Sequence, residues 1–231
     1  MKQGLEASSG TSQFARHGRE KAVAPVRDTS ARKEADVSHE FVQVAARLRF
    51  ALGPHERVIA FTGVKPADGS DIVTSKVGFA LARMSEDPVL VIDGQLPGAG
   101  LTSRRGIPST PGLCDVIAGT AEIAGAMVPT QSANCFLMPL GAMRVSQAIS
   151  MVASPQTREM FAVLAHRFSY VCIDVGAIPS SALGLLLSKY SDGVVLALAA
   201  GISRRAEAEI VRCEMKMAGV KLLGAVLTCR K

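Results

Sequence analysis

Runs of apolar residues alternate along this chain with longer segments in which apolar residues recur every three or four positions. Continuous runs bounded by turn residues predict buried strands over 57–62, 88–93, 134–140, 170–175, 193–199 and 220–228. Helical spacing predicts one helix from Ser38 to just before Gly53-Pro54, and further helices over 71–84, 113–118, 121–127, 155–168, 181–189 and 203–217. Such alternation is typical of an α/β fold, a mostly parallel sheet with helices on both faces.

Residues 1–37 show no sustained apolar period and are rich in Ser, Gly, Ala, Arg and Lys. A segment that buries so little apolar surface does not offset the entropy lost on ordering, so we expect a disordered N-terminal tail. The predicted strands and helices fill the rest of the chain, which favours a single domain over residues 38–231.

Composition narrows the class of protein. Of the 231 residues, 48% are hydrophobic and only 4% aromatic, which suits aliphatic packing of helices on a sheet. No apolar run approaches the ~20 residues of a membrane span, and the N-terminus lacks the apolar segment of a secretory signal, so we expect a cytoplasmic location. The five cysteines are scattered without a CxxC or Cys/His cluster, which indicates neither a disulfide framework nor a zinc site.

The net charge of +6 is spread over the predicted domain, with small clusters at Arg104-Arg105 and Arg204-Arg205. A solvated surface or docking to an acidic partner fits this pattern. No aromatic residues are interleaved with the basic clusters, so we expect no nucleic acid as a partner.

The residues that follow the predicted strands are the candidates for chemistry, because open parallel sheets bind ligands beyond the carboxyl ends of their strands. The Gly- and Pro-containing loop over 63–70 follows one strand and precedes a helix, which is the context of a phosphate-binding loop. Two further strands end in Asp93 and Asp174. Aspartates at this edge hold magnesium in P-loop proteins, but an Asp after a strand is equally common as a turn or capping residue.

The order and spacing of these segments resemble one family. Residues 58–82, 89–101, 112–119 and 170–179 are similar to the cytoplasmic tyrosine-kinase domains (CpsD/CapB-like) of bacterial capsule and exopolysaccharide systems, relatives of the ParA/MinD ATPases. The stretch PGLCDVIAGTAEI resembles the family's PGLSDVLxG segment, and SDGVVLALAAGISRRAEAE resembles its penultimate strand and helix. The resemblance extends over nearly everything from Glu40 onward and implies a P-loop NTPase-like fold.

The resemblance also implies a nucleotide site, from which this chain departs at the chemical positions. The family's loop ends in Gly-Lys-Ser/Thr-Thr, whereas Gly69 is followed here by Ser70 and Asp71. The family's Asp-x-Asp after the second strand is 93–95 here, in which Asp93 is kept and Gln95 replaces the second carboxylate. A lost charge-assisted phosphate contact costs roughly 1.5–3 kcal/mol, and a carboxylate beside polyphosphate adds repulsion.

Lys65 lies five residues before Ser70, where ParA/MinD relatives carry a signature lysine that works across a dimer. It either replaces the missing cation or is an ordinary exposed loop lysine, and the second interpretation is favoured. If the site holds magnesium, Asp93 and Asp174 are its candidate ligands, with Asp71 as a third. Weak binding of ATP or ADP with magnesium therefore stays open.

These departures favour a catalytically degenerate kinase-like domain that acts by binding. The resemblance implies a role in capsule or exopolysaccharide synthesis and export, at the inner face of the cell membrane, with a membrane co-polymerase or export protein as partner. The family's Glu-x2-Arg-x2-Arg helix, which assembles subunits, is altered because Arg47 and Arg49 are displaced relative to Glu40, so homo-oligomerisation is left open.

Two alternatives come from other functional classes. One is an active but divergent ATPase or tyrosine kinase of the same pathway that uses Lys65, Asp71, Asp93 and Asp174. The other is a ParA/MinD-like positioning ATPase, for which the small basic clusters give little support.

Overall fold

The computed structural model describes residues 37–229, so the predicted tail lies outside the described residues except for Val37, which is buried. The strands of the described part are β1 (Val58–Gly63), β2 (Val89–Asp93), β3 (Val128–Pro129), β4 (Cys135–Met138), β5 (Tyr170–Ala177), β6 (Gly193–Ala199) and β7 (Leu222–Thr228). Its α-helices are α1 (His39–Ala51), α2 (Ser70–Arg83), α3 (Leu101–Arg104), α4 (Leu113–Ile117), α5 (Val145–Val152), α6 (Pro155–Arg167), α7 (Ala182–Ser188) and α8 (Arg205–Met217). Short 3-10 turns span Pro66–Asp68, Ala124–Ala126 and Ile178–Ser180.

The strands form one sheet in the order β3-β4-β2-β5-β1-β6-β7. Every pairing is parallel except that of β3 with β4, which is antiparallel. The predicted mostly parallel α/β fold is thus confirmed. Strands β1, β2 and β5 are buried along their whole length, which is the reason their sequences are unbroken apolar runs.

Two apolar clusters cover the faces of the sheet. Successive strand residues point to opposite faces, so that Ile92 packs in the cluster under α4 to α8 and Val91 in the cluster under α1 and α2. Helix α2 lies against β5 and β2 and directly follows the loop after β1, so it anchors that loop on the sheet. None of the helices in residues 37–229 is long and apolar enough to cross a membrane.

Three predicted assignments differ from the structure. The helix predicted over 121–127 is wrong: only a 3-10 turn forms, because the chain must extend for Val128 to pair with Leu137. The segment 94–112, for which no helix or strand is predicted, contains α3, which is too short for periodicity to detect. Helix α5 was missed although Val145, Ala148 and Val152 have helical spacing.

Gly78 is required where α2 packs on the sheet. A Cβ at this position would lie 2.6 Å from Cγ2 of Val91, a core residue of β2 that cannot move away. We expect Gly78→Leu to lower the free energy of unfolding by about 1–3 kcal/mol or more, through overpacking, in urea titrations followed by circular dichroism. Gly125→Ala is the matched control, because a Cβ there meets nothing within 4 Å; equal losses in both variants would contradict the close packing.

Candidate functional site

The loop between β1 and α2 meets the carboxyl ends of β2 and β5 at one edge of the sheet. Asp93 is the last residue of β2, and its register partner Asp174 lies in the neighbouring parallel strand β5, three residues before that strand ends at Ala177. Gly69 has a φ of 76°, a left-handed conformation that lets the chain leave the 3-10 turn and begin α2 at Ser70. The predicted convergence of the loop with Asp93 and Asp174 is therefore present.

Asp174 is the fully buried centre of this edge. Ser70 Oγ donates a hydrogen bond to its Oδ1 (2.8 Å), and Gln95 Nε2 donates to its Oδ2 (2.7 Å). Burial raises the pKa of Asp174 to about 7, the nearby Asp93 carboxylate adds to the rise, and the bonds from Gln95 and Ser70 oppose it. The two residues that replace a lysine and a carboxylate of the family pattern thus both bind Asp174, the aspartate that is retained in β5.

Asp93 is held by α3, an element that the sequence did not predict. The Thr102 backbone N–H and hydroxyl both donate to Oδ2 of Asp93, at 2.8 and 2.6 Å, and the backbone N–H of Gln95 donates to Oδ1 at 3.2 Å. Gly100 lies so close to the carboxylate that a Cβ there would collide with it. Burial raises the pKa of Asp93, and the bonds from Thr102 act against that rise.

Asp71 forms an ion pair with Arg104. The Asp71 side chain is buried, whereas Arg104, the last residue of α3, is about half exposed. The sequence marked Arg104 only as part of a basic surface cluster. The fold brings it to the position where a carboxylate of this loop needs a cation.

Asp68 is a site residue that sequence reasoning missed. Its Oδ2 accepts the backbone N–H groups of Val64 and Lys65, both at 2.9 Å, and its Oδ1 accepts the Ser203 hydroxyl at 2.8 Å. The side chain is fully buried. Asp68 lies three residues after Lys65, the residue that precedes the 3-10 turn, and directly before a glycine, which is a local capping signal that would have indicated this role.

Lys65 does not point toward Ser70 and Asp174. Its Nζ forms a 2.8 Å ion pair with Glu207 of α8, and the Lys65 side chain is 39% exposed. The pair lowers the pKa of Glu207, chiefly through the hydrogen bond from Lys65. This lysine is therefore a partly exposed loop residue with an intramolecular partner.

The site is saturated by its own groups. In residues 37–229 no buried side-chain nitrogen or oxygen lacks a hydrogen-bond partner, and no cluster of three or more His, Cys, Asp or Glu is arranged to hold a metal ion. In this arrangement, a magnesium nucleotide could reach the carboxylates only if the groups that now hold them moved away. Thr102 and Arg104 would have to leave Asp93 and Asp71, and the loop has no lysine at position 70 to bind the phosphates.

The comparisons with known proteins agree with the resemblance predicted from the sequence. No protein-family model matches the chain. The tyrosine-protein kinase CpsD of Streptococcus pneumoniae serotype 4 is 24% identical over 178 residues, which span 76% of this chain and 77% of that protein. The sequence relatives of this chain are thus bacterial tyrosine-protein kinases of the CpsD and Wzc kind.

Solved structures give the same result for the fold. The kinase domain of the Escherichia coli tyrosine kinase ETK superposes with a TM-score of 0.77 at 17% identity, over 96% of this chain and 86% of that one. The septum site-determining protein MinD of Pyrococcus horikoshii, solved with Mg-ADP, gives a TM-score of 0.59 at 28% identity, over 74% and 69% of the two chains. The fold is that of bacterial tyrosine-kinase domains and ParA/MinD-type P-loop ATPases.

Proposed function

We propose that this chain is a kinase-like domain of a capsule or exopolysaccharide system that acts by binding a membrane co-polymerase or export protein, and that it does not transfer phosphoryl groups. The proposal places the domain in the cytoplasm, at the inner face of the membrane. Its similarity to CpsD supports the pathway. The state of the candidate nucleotide site supports the loss of catalysis.

The observation that carries the proposal is the ion pair between Asp71 and Arg104. In the family pattern, the residue at position 71 carries a hydroxyl that binds the magnesium ion of the nucleotide. That magnesium ion would take the place that the Arg104 guanidinium occupies here. In this chain a carboxylate occupies the position and a cation of the chain itself neutralises it. Phosphoryl transfer depends on positioned charge, so an internally neutralised site without a lysine lacks the means to stabilise the transition state.

The direct test is a calorimetric titration of the full chain with ATP and magnesium, together with an assay for phosphate release. We expect no saturable binding up to about 1 mM nucleotide and no turnover above buffer. Tight binding or turnover in the natural protein would overturn the proposal, and loss of that turnover in Lys65→Ala would identify Lys65 as the cation in use.

A divergent ATPase or kinase is the second candidate. Lys65 and Arg104 are partly exposed cations beside the loop, and a change of partner could turn either toward a phosphate. Neighbours in fold such as MinD were solved with Mg-ADP, which makes weak nucleotide binding a reasonable outcome. The same titration separates this candidate, and the ParA/MinD-like positioning ATPase with it, from a pure binding domain.

A further inference from the structure

We propose that the outer edge of β7 binds an extended, acidic peptide segment of a partner protein by strand addition. This inference rests on the proposed function, because it names the surface and the kind of partner that a binding domain would use. It depends on three features of the described chain: an open strand edge, the absence of charged or proline residues in that strand, and a basic helix flank beside it.

Within residues 37–229, β7 is the last strand of the sheet and pairs only with β6. Ala200 N–H donates to the Thr228 carbonyl (2.9 Å), so the backbone of Thr228 faces β6. Because backbone groups alternate along a strand, those of Ala225 and Leu227 face away from β6. Two N–H and two C=O groups are therefore directed outward along the segment 224–228, which we call the β7 edge.

Natural sheets usually protect such an edge with lysine, proline or an inward-pointing charge. Strand β7 reads LLGAVLT and contains none of these. The pairing of β7 with β6 shifts register between Leu222 and Gly224, so Leu223 has no register partner in β6. Regular pairing is therefore limited to the β7 edge. Leu227 in this segment is 65% exposed, so the edge presents a large apolar side chain to solvent. An edge of this kind is a template for another strand.

The flank of α8 beside this edge selects the charge of the incoming strand. Glu207 pairs with Lys65 of the loop after β1, so the flank that carries Glu207 faces the middle of the sheet. The opposite flank carries Arg205, Arg212 and Lys216, which are all exposed, and this flank therefore lies on the side of α8 toward β7, a strand that α8 contacts. We call these three residues the basic flank.

The basic flank favours an acidic occupant over a second copy of this chain. Glu209 neutralises part of it through its 2.6 Å bond with Arg212, which leaves Arg205 and Lys216 without a carboxylate partner among the ion pairs of residues 37–229. A twofold pairing of β7 with its own copy would bring two basic flanks together, which costs binding energy. An extended segment with alternating apolar and acidic residues satisfies both the β7 edge and the basic flank.

The probe is a fluorescein-labelled synthetic peptide, Glu-Val-Thr-Val-Glu-Val-Glu, with Lys-Val-Thr-Val-Lys-Val-Lys as the charge-reversed probe. Binding to the full chain is followed by fluorescence anisotropy at low salt, and amide hydrogen exchange is measured at Ala225 and Leu227. We expect saturable binding of the acidic peptide only, slower exchange at both amides when it is bound, and at least about a tenfold loss of affinity in Arg205→Glu/Arg212→Glu. Arg144→Glu is the matched control, because Arg144 is exposed immediately before α5 and lies outside the basic flank, and this variant should bind normally.

Each other result overturns the proposal. Absence of binding at about 1 mM peptide excludes the site, and binding without protection of the two amides shows a charge contact and no added strand. If the free protein is a dimer in which the amides of Ala225 and Leu227 are already protected, a second copy of the chain covers the β7 edge. Ala225→Pro, which removes an outward N–H, should abolish binding, and its melting temperature shows whether it is folded. Nucleotide binding is measured in a separate titration. If the protein binds ATP and also binds the peptide, the proposed function is refuted, whereas the peptide site at the β7 edge is retained.

Discussion

The double variant Ser70→Lys/Asp71→Thr is expected to bind ATP with magnesium where the natural protein does not. The lysine enters the loop beside Asp174, in place of a hydroxyl that now bonds to that carboxylate. The threonine removes the carboxylate that holds Arg104 and supplies a hydroxyl in its place. Each restored charge-assisted contact is worth roughly 1.5–3 kcal/mol, or about 10- to 150-fold in affinity, so the combined gain brings the dissociation constant from beyond millimolar into the micromolar range.

The measurement is isothermal titration calorimetry with ATP and magnesium, and Ser70→Ala/Asp71→Thr is the matched control. This control removes the same native contacts without adding the cation, so it should remain without binding. A triple variant that adds Asp68→Ala frees the amides of Val64 and Lys65 and should bind more tightly again, because backbone amides at such a loop bind anions. If neither lysine variant binds while both remain folded, the site is not a decayed nucleotide loop.

Asp174→Asn is expected to stabilise the protein, and increasingly so as the pH rises. The pKa of Asp174 is about 7 in the folded protein against an ordinary value of 3.8, because burial penalises the carboxylate. Between these values the folded state keeps a proton that the unfolded state has released, so the stability of the natural protein falls as the pH rises, until the pH passes about 7. The asparagine side chain would carry no such charge and could still accept the hydrogen bond from Ser70.

The difference in unfolding free energy between Asp174→Asn and the natural protein should therefore grow from pH 5 to pH 8. At about 1.4 kcal/mol per pH unit the growth is roughly 2–3 kcal/mol, or several degrees in melting temperature. Ser70→Ala removes a bond that lowers the pKa of Asp174 and should extend the pH dependence to higher pH. A carboxyl carbon resonance of Asp174 that titrates near pH 4, or a difference that does not change with pH, would contradict the buried-carboxyl interpretation.

The sequence by itself determined the sheet and the place of the candidate site. Strands buried on both faces must be continuous apolar runs, so β1, β2, β5 and β6 were predicted close to their actual bounds. Parallel strands in register end at one edge, so Asp93 and Asp174 could be placed together without coordinates. The departures at Ser70, Asp71 and Gln95 were visible by comparison with the family pattern that the sequence resembles, since these residues keep their places relative to the predicted strands before them.

Only the tertiary structure decided which groups satisfy those residues. The Asp68–Ser203 bond joins residues 135 positions apart, and the Ser70–Asp174 bond joins residues 104 apart. Such contacts depend on how far each loop reaches over the sheet edge, which periodicity does not encode. The four-residue helix α3 is too short to leave a helical pattern, yet it supplies Thr102 to Asp93 and Arg104 to Asp71. A buried carboxylate must find a donor or a cation, but the sequence does not specify which distant residue the fold will bring to it.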